Sequence, residues 1–321
     1  MTPNNKKALL LVNIGSPQTL TVPAVRAYLR KFLMDPFVIQ IPFALRFFLF
    51  YVVICTIRAP KTFLKYKGIW RAEGSPFHFF TENFRAALEK TLGVRVLNVM
   101  MYSEPGFKTA FEELKASGIS DVTVVPMYPQ YAESSYRTSV EAFKKFSTKY
   151  QIAQNAKIVE PFYREDFFIS AVYKNIISQY PDFNSYDQLV FSYHGLPQTH
   201  IDRAPADQDY QQQCIATTEL LVKKLGLDKN YVTCFQSRVG VTKWIQPYLD
   251  QTCESLARSG KKKILVISPS FVVDGLETLQ EITDLETELQ KQYNIRLDLV
   301  KGLNSEAHWV QGFTGYISGK L

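Results

Sequence analysis

Four carboxylates and one histidine are the residues of this chain whose types and spacing could do chemistry. Asp274, Glu277, Glu281 and Asp284 stand at offsets of three, four and three in the stretch SPSFVVDGLETLQEITDLE. On an α-helix those offsets put all four in one row. Like charges in a row repel, so helix stability is not what they serve. The row follows the strand-like run KKILVIS and so starts at the carboxyl edge of a sheet, where open α/β folds place their ligands. Such a row could conduct a cation; the competing reading is a solvated helix face. A second strand-like run, DQLVFSY at 187–193, delivers His194 to its own carboxyl end. A histidine there could ligate a divalent metal or move a proton near neutral pH, or merely hydrogen-bond to a loop. His200 and His308 are read as surface residues.

The elements that must position these groups follow an alternation of short apolar runs and helical stretches, the pattern of βαβ units. In the first half, strands are expected near 8–14, 94–101, 121–127 and 156–160; in the second, near 187–193, 231–236, 262–267 and 296–300. A chain of 321 residues is long for one core. The expected fold is therefore α/β, with two Rossmann-like domains, each a parallel four-stranded sheet flanked by helices, and an active-site cleft between them. The domains are set at 1–160 and 161–321, with the last helix a candidate for packing on the first half. The halves look alike. Ile14-Gly15-Ser16-Pro17 and His194-Gly195-Leu196-Pro197 both end a first strand with x-G-x-P, and Pro129-Gln130-Tyr131 matches Pro269-Ser270-Phe271. That alignment sets Ser134, Arg137 and Glu141 opposite Asp274, Glu277 and Glu281, so the acidic chemistry falls in the second half.

The net charge of +7 suits an anionic substrate or an acidic membrane surface. Zinc-finger spacing and RNA-binding aromatic signatures are missing, so nucleic acid is not an expected partner. Cys55, Cys214, Cys234 and Cys253 form no C-x-x-C pair and read as core fillers in a reducing compartment. MTPNNKK leads directly into an apolar strand, so a cytoplasmic protein is expected. Residues 35–79 are an extra piece in the first half. They contain an eleven-residue uncharged run, Phe47 to Ile57, too short for a bilayer span of about 20 residues. Arg46 and Arg58 bracket the run, and Lys61, Lys65, Lys67 and Arg71 follow it. An apolar stretch flanked by cations is the composition of an interfacial segment, with a buried core helix as the alternative.

Seven motifs in order resemble the ferrochelatases over nearly the whole chain. They are LLLVNIGSP at 9–17, FLMDPFVI at 32–39, EGSP at 73–76, YPQY at 128–131, SYHGLP at 192–197, FQSRVG at 235–240 and FVVDGLETLQEI at 271–282. The resemblance implies a chelatase-like fold and an enzyme that inserts Fe2+ into protoporphyrin IX, the last step of haem biosynthesis. It implies His194 and Glu277 as the facing pair at the ring centre: His194 the proton acceptor and candidate iron ligand, Glu277 a ligand or relay for iron. Asp274, Glu281 and Asp284 would form the outer path for metal or protons. Ile14, Arg58, Tyr66, Ser75, Tyr102 and Tyr128 match porphyrin-binding positions. Met101 stands where the family usually has an arginine, which puts one propionate or iron contact in doubt. Residues 35–79 match a lip over the active site that meets the membrane, and His78 falls in it. The coproporphyrin-using branch usually has a tyrosine where this chain has Ile14. The resemblance also implies no permanently bound cofactor, with Fe2+ a substrate. An iron–sulfur cluster is not expected, because Glu133 follows YPQYA and the chain ends soon after its last helix. The implied partners are protoporphyrin IX, Fe2+, a membrane surface met through the apolar lip, and the preceding haem-pathway oxidase, with peripheral attachment to the inner face of the membrane. Coproporphyrin III insertion and a non-catalytic haem or metal carrier are the alternatives. A carrier could use His194 as an axial ligand but has no use for an acidic row opposite it. A nucleotide-binding α/β protein is disfavoured because G-x-P loops do not cradle phosphates.

Overall fold

The computed structural model describes residues 7–48, 50–51, 57–240 and 242–321. They form two compact units: one of Met1–Tyr128, Ala132–Pro161 and Ser305–Leu321, the other of Pro129–Tyr131 and Phe162–Asn304.

In the first unit, β1 (Lys7–Asn13), β2 (Arg95–Met100), β3 (Asp121–Pro126) and β4 (Lys157–Ile158) form a parallel sheet in the order β2-β1-β3-β4. Parallel strands are covered on both faces, so their sequences run apolar rather than alternating; β1 is buried from Ala8 to Asn13. Around the sheet lie α1 (Val22–Leu33), α2 (Phe43–Phe48), α3 (Ala59–Ile69), α4 (Pro76–Leu92) and α5 (Phe107–Ala116). A π-helical turn, Glu133–Arg137, then leads into α6 (Thr138–Tyr150). Phe107, Phe111, Phe143 and Phe146 pack ring against ring where α5 meets α6.

In the second unit, β5 (Gln188–His194), β6 (Tyr231–Gln236), β7 (Lys263–Ile267) and β8 (Arg296–Val300) form a parallel sheet in the order β6-β5-β7-β8. Its helices are α7 (Asp166–Gln179), α8 (Gln198–Asp202), α9 (Tyr210–Leu225), α10 (Leu249–Arg258) and α11 (Glu281–Tyr293). Both sheets therefore run second-first-third-fourth, and the first strand sits inside each. Another π-helical turn, Leu276–Gln280, leads into α11.

The last helix, α12 (Ala307–Ser318), belongs to the first unit. Trp309 stacks on Phe84 of α4 at 5.5 Å and Phe313 meets the same ring edge-on at 5.3 Å. Each expected strand is present within one residue of its expected start, but β4 pairs over Lys157–Ile158 alone, the chain leaving the ladder before Pro161. No helix among the described residues is long and apolar enough to cross a membrane.

Candidate functional site

His194 is the last residue of β5, half-buried at the carboxyl edge of the second sheet. Its Nδ1 lies 2.6 Å from the Gly195 carbonyl. A carbonyl only accepts, so Nδ1 carries the ring proton and Nε2 presents a lone pair. Burial pushes the imidazole's pKa below its ordinary value, while the charge of Glu281 and the bond to Gly195 act in the opposite direction. Burial outweighs the other two, which favours the neutral ring. The Tyr210 hydroxyl donates to the His194 carbonyl at 2.9 Å. Tyr210 opens α9, whose first turn is capped by the Asp209 carboxylate on the Gln212 N–H at 3.1 Å. The Phe271 ring lies 6.1 Å from the imidazole, centre to centre.

The four acidic residues do not form the single row expected on a helix. Asp274 precedes the helix, Glu277 lies in the π-helical turn, and Glu281 and Asp284 open α11. A π-helical turn bonds i to i+5, so offsets of three and four no longer stack along one line. Exposure grades instead: Asp274 is 1% exposed, Glu277 and Glu281 are half-buried, and Asp284 is exposed. Both Asp274 oxygens are already occupied. Oδ1 accepts from the Gly302 N–H at 3.0 Å and Oδ2 from Asn304 Nδ2 at 2.8 Å. Asp274 thus clasps the loop after β7 to the loop after β8. Glu281 accepts from Ser237 Oγ at 2.5 Å, and Asp284 from Gln280 Nε2 at 2.7 Å.

Glu277 is tied in through Gln236. Gln236 Nε2 donates to the Glu277 main-chain carbonyl at 2.7 Å, and Ser192 Oγ donates to Gln236 Oε1 at 2.7 Å. Ser192, Gln236, Ser237 and Tyr210 escaped the reading of the sequence because none is charged. For Ser192, Gln236 and Ser237 the signal was position, within two residues of His194 or inside FQSRVG; Tyr210 offered none, being sixteen residues away along the chain.

In the first unit, several of the expected porphyrin-binding residues gather at the carboxyl end of β1. The Tyr102 N–H donates to the Ile14 carbonyl at 3.2 Å. Ser16 and Ser75 share a hydroxyl–hydroxyl bond of 2.6 Å, and His78 Nε2 donates to the Ser16 carbonyl at 3.0 Å. Gly15 between them has φ +86°, and a Cβ there would lie 2.3 Å from Ser103 Oγ. Tyr102 is buried, and its hydroxyl donates to Asp35 Oδ2 at 2.9 Å; Thr138 donates to the same oxygen at 2.7 Å. Burial and the Asp35 charge push the Tyr102 hydroxyl far above the usual phenol range. Tyr128 is pushed up too, chiefly by burial, with a Ser139 hydrogen bond opposing it. Tyr66 is buried in α3 edge-on to Trp70 at 6.3 Å, and Arg58 stands half-buried just ahead of that helix.

Two further expectations are corrected. His200, expected at the surface, is 7% exposed. Its short helix is held down by the Gln198 N–H on the Lys243 carbonyl at 2.9 Å and by the Pro197–Trp244 bridge. The alignment of the halves also shifts. Each π-helical turn enters a helix of 13 residues, and matching them sets Ser134 opposite Glu277, Thr138 opposite Glu281 and Glu141 opposite Asp284.

The ferrochelatase family model matches residues 6–321. This chain belongs to the ferrochelatase family. A ferrochelatase from Bdellovibrio bacteriovorus is 35% identical over 97% of this chain and 98% of its own length. One from Pseudomonas syringae is 34% identical over 95% of each. Among solved structures, SirB from Bacillus subtilis with Fe3+ aligns over 98% of this chain and 95% of its own, with a TM-score of 0.58 at 14% identity. DR2241 from Deinococcus radiodurans, a multi-domain protein similar to chelatases, aligns over 97% of this chain and 55% of its own, with a TM-score of 0.51 at 10% identity. At those identities the two structures support the chelatase-like fold alone.

Proposed function

We propose that this ferrochelatase inserts Fe2+ into protoporphyrin IX, giving protohaem and two protons. The observation that carries the reading is the state of His194: a half-buried imidazole with Nδ1 bound and Nε2 presenting a lone pair, in the same unit as the acidic groups Glu277 and Glu281.

Insertion requires that two pyrrole N–H protons leave, that Fe2+ sheds water and that the ring nitrogens turn out of plane. A neutral imidazole near physiological pH suits the first demand. His194 Nε2 would take one proton and pass it towards Glu281, whose charge it feels. The Glu277 carboxylate would hold the ion briefly, because oxygen ligands bind Fe2+ loosely enough to release it to four nitrogens. Glu281 and exposed Asp284 would form the outer path; Asp274 leaves it. Ile14, Ser75, Tyr102 and Tyr128, with Arg58 and Tyr66, would supply the porphyrin contacts. Of these, Ser75 is hydrogen-bonded to Ser16 in the β1 loop and Tyr102 to Asp35. Fe2+ is read as substrate, with no resident cofactor or iron–sulfur cluster. The free, buried Cys214, Cys234 and Cys253 suit core packing; Cys55 lies outside the described residues.

Ile14 favours protoporphyrin over coproporphyrin. The same substrate is greasy and comes from membrane enzymes, and the lip fits that delivery. Phe43, Phe47, Phe48, Ile57 and Leu64 are each more than two-fifths exposed, and a pocket beside them is lined by Arg30, Lys31, Met34, Phe43, Phe47 and Tyr51. Leu49 and residues 52–56 of this segment lie outside the described residues. We infer peripheral attachment to the inner face of the membrane, close to the oxidase that precedes the enzyme.

The test mixes protein, porphyrin and Fe2+ or Zn2+ and follows the visible spectrum. Catalytic conversion of protoporphyrin supports the reading; stoichiometric binding without conversion makes the protein a carrier, and preference for coproporphyrin III moves it to the other branch.

A further inference from the structure

Gln236 pairs with His194 across the β5–β6 ladder and is buried. Its side-chain amide joins two elements, with Ser192 on one side and the Glu277 carbonyl on the other, both at 2.7 Å. The orientation of that amide is fixed by chemistry, since a carbonyl can only accept and must face the amide nitrogen. The main chain of Gln236 adds a third tie, its carbonyl accepting the Gly195 N–H at 2.8 Å. A Cβ on Gly195 would lie 2.7 Å from that oxygen, so this close approach reserves the position for glycine. One residue therefore touches the chain on both sides of His194 and also the π-helical turn that carries Glu277.

We propose that Gln236 is a positioning residue for metal insertion: its amide sets where the Glu277 carboxylate sits relative to the His194 imidazole. The proposal rests on the assignment of those two residues to catalysis. A turn anchored from another strand follows that strand, so the placement of Glu277 is registered to β5 and β6 rather than to α11 alone. Misplacing a reacting group by about 1 Å can cost about a hundredfold in rate.

The experiment measures protoporphyrin insertion by Gln236→Glu, Gln236→Met and Ser192→Ala, each purified and checked by circular dichroism, alone and in a Glu277→Gln background. Gln236→Glu keeps the size and the acceptor for Ser192 but offers no donor to the Glu277 carbonyl. We expect kcat to fall by about 30- to 100-fold with the KM for porphyrin within about twofold. Gln236→Met, uncharged and of matched length, should lose as much and carries the test should the glutamate variant fail to fold. Ser192→Ala leaves the donor in place and should lose less than about fivefold. In the Glu277→Gln background, changing Gln236 should cost nothing further, because its effect runs through residue 277. Wild-type kcat in the Gln236 variants, a KM for porphyrin that worsens in step with kcat, or a further full loss on top of Glu277→Gln would each overturn the proposal. His194→Ala with intact turnover would instead remove the functional reading beneath it.

Discussion

Asp274 and Asn304 hold each other by two hydrogen bonds, the Asp274 N–H on Asn304 Oδ1 at 2.9 Å and Asn304 Nδ2 on Asp274 Oδ2 at 2.8 Å. With the Gly302 N–H on the other carboxylate oxygen, this clasp joins the loops that follow β7 and β8. A carboxylate so engaged, and only 1% exposed, is held between two loops rather than presented to a passing ion. Asp274→Asn turns an acceptor into an amide donor facing donors, and leaves buried groups unsatisfied. It should cost about 3 kcal/mol of stability and several degrees of melting temperature, while the folded fraction keeps kcat within about threefold. Thermal unfolding beside single-turnover insertion checks this; lost turnover at unchanged melting temperature would return Asp274 to the metal path.

The His194 pKa is lowered, and the sign decides the pH profile. A histidine whose folded pKa lies below its unfolded value near 6.5 stays neutral in the folded enzyme further into acid. The unfolded state binds more protons between the two values, so stability declines as pH falls through that window. The acid limb of kcat/KM should accordingly sit below pH 6.5. The charge of Glu281 raises the His194 pKa, so Glu281→Gln should move the limb to still lower pH. A limb moving upward in that variant would show that His194 is not the titrating group.

The fold was legible because parallel strands covered on both faces announce themselves as unbroken apolar runs, LLLV at Leu9–Val12 and ILVI at Ile264–Ile267. The placement of His194 was legible because a titratable residue directly follows the strand-like run DQLVFSY, and it does end β5. The row of four does not form because the α-helix starts only at Glu281, after a π-helical turn at Leu276–Gln280. A π-helical turn depends on tertiary anchors such as Gln236, and these leave no periodic trace. His200 was misplaced for a similar reason: polarity points a lone histidine to solvent, but a bridge from Pro197 to Trp244 turns its helix inward.

The graded exposure of the acidic residues predicts graded losses. Glu277 is half-buried in the turn that Gln236 anchors, and Asp284 is exposed with a single bond from Gln280. Glu277→Gln should lower kcat by about 10²- to 10⁴-fold, the scale of a lost acid–base or ligand group. Asp284→Asn should stay within about fivefold, since an exposed charge is well screened. Steady-state kinetics at several Fe2+ concentrations should place the Asp284→Asn effect in the KM for metal. Equal losses at both positions would contradict a path that leads from solvent to Glu277.

The lip makes a prediction independent of the chemistry. Phe43 is 63% exposed and Phe48 61%, although burying one such side chain is worth about 1.5–3 kcal/mol. Water alone gives no reason to display them, and Arg30 and Lys31 beside them suit an anionic surface. Phe43→Asp with Phe48→Asp should lower the partition of the purified enzyme onto vesicles containing anionic lipid by more than about tenfold. Turnover with detergent-dispersed protoporphyrin should be unchanged, because neither ring belongs to the His194–Glu277 site. Co-sedimentation reads the first quantity and absorbance the second. Unaltered sedimentation would mean that the exposed rings serve something other than a bilayer.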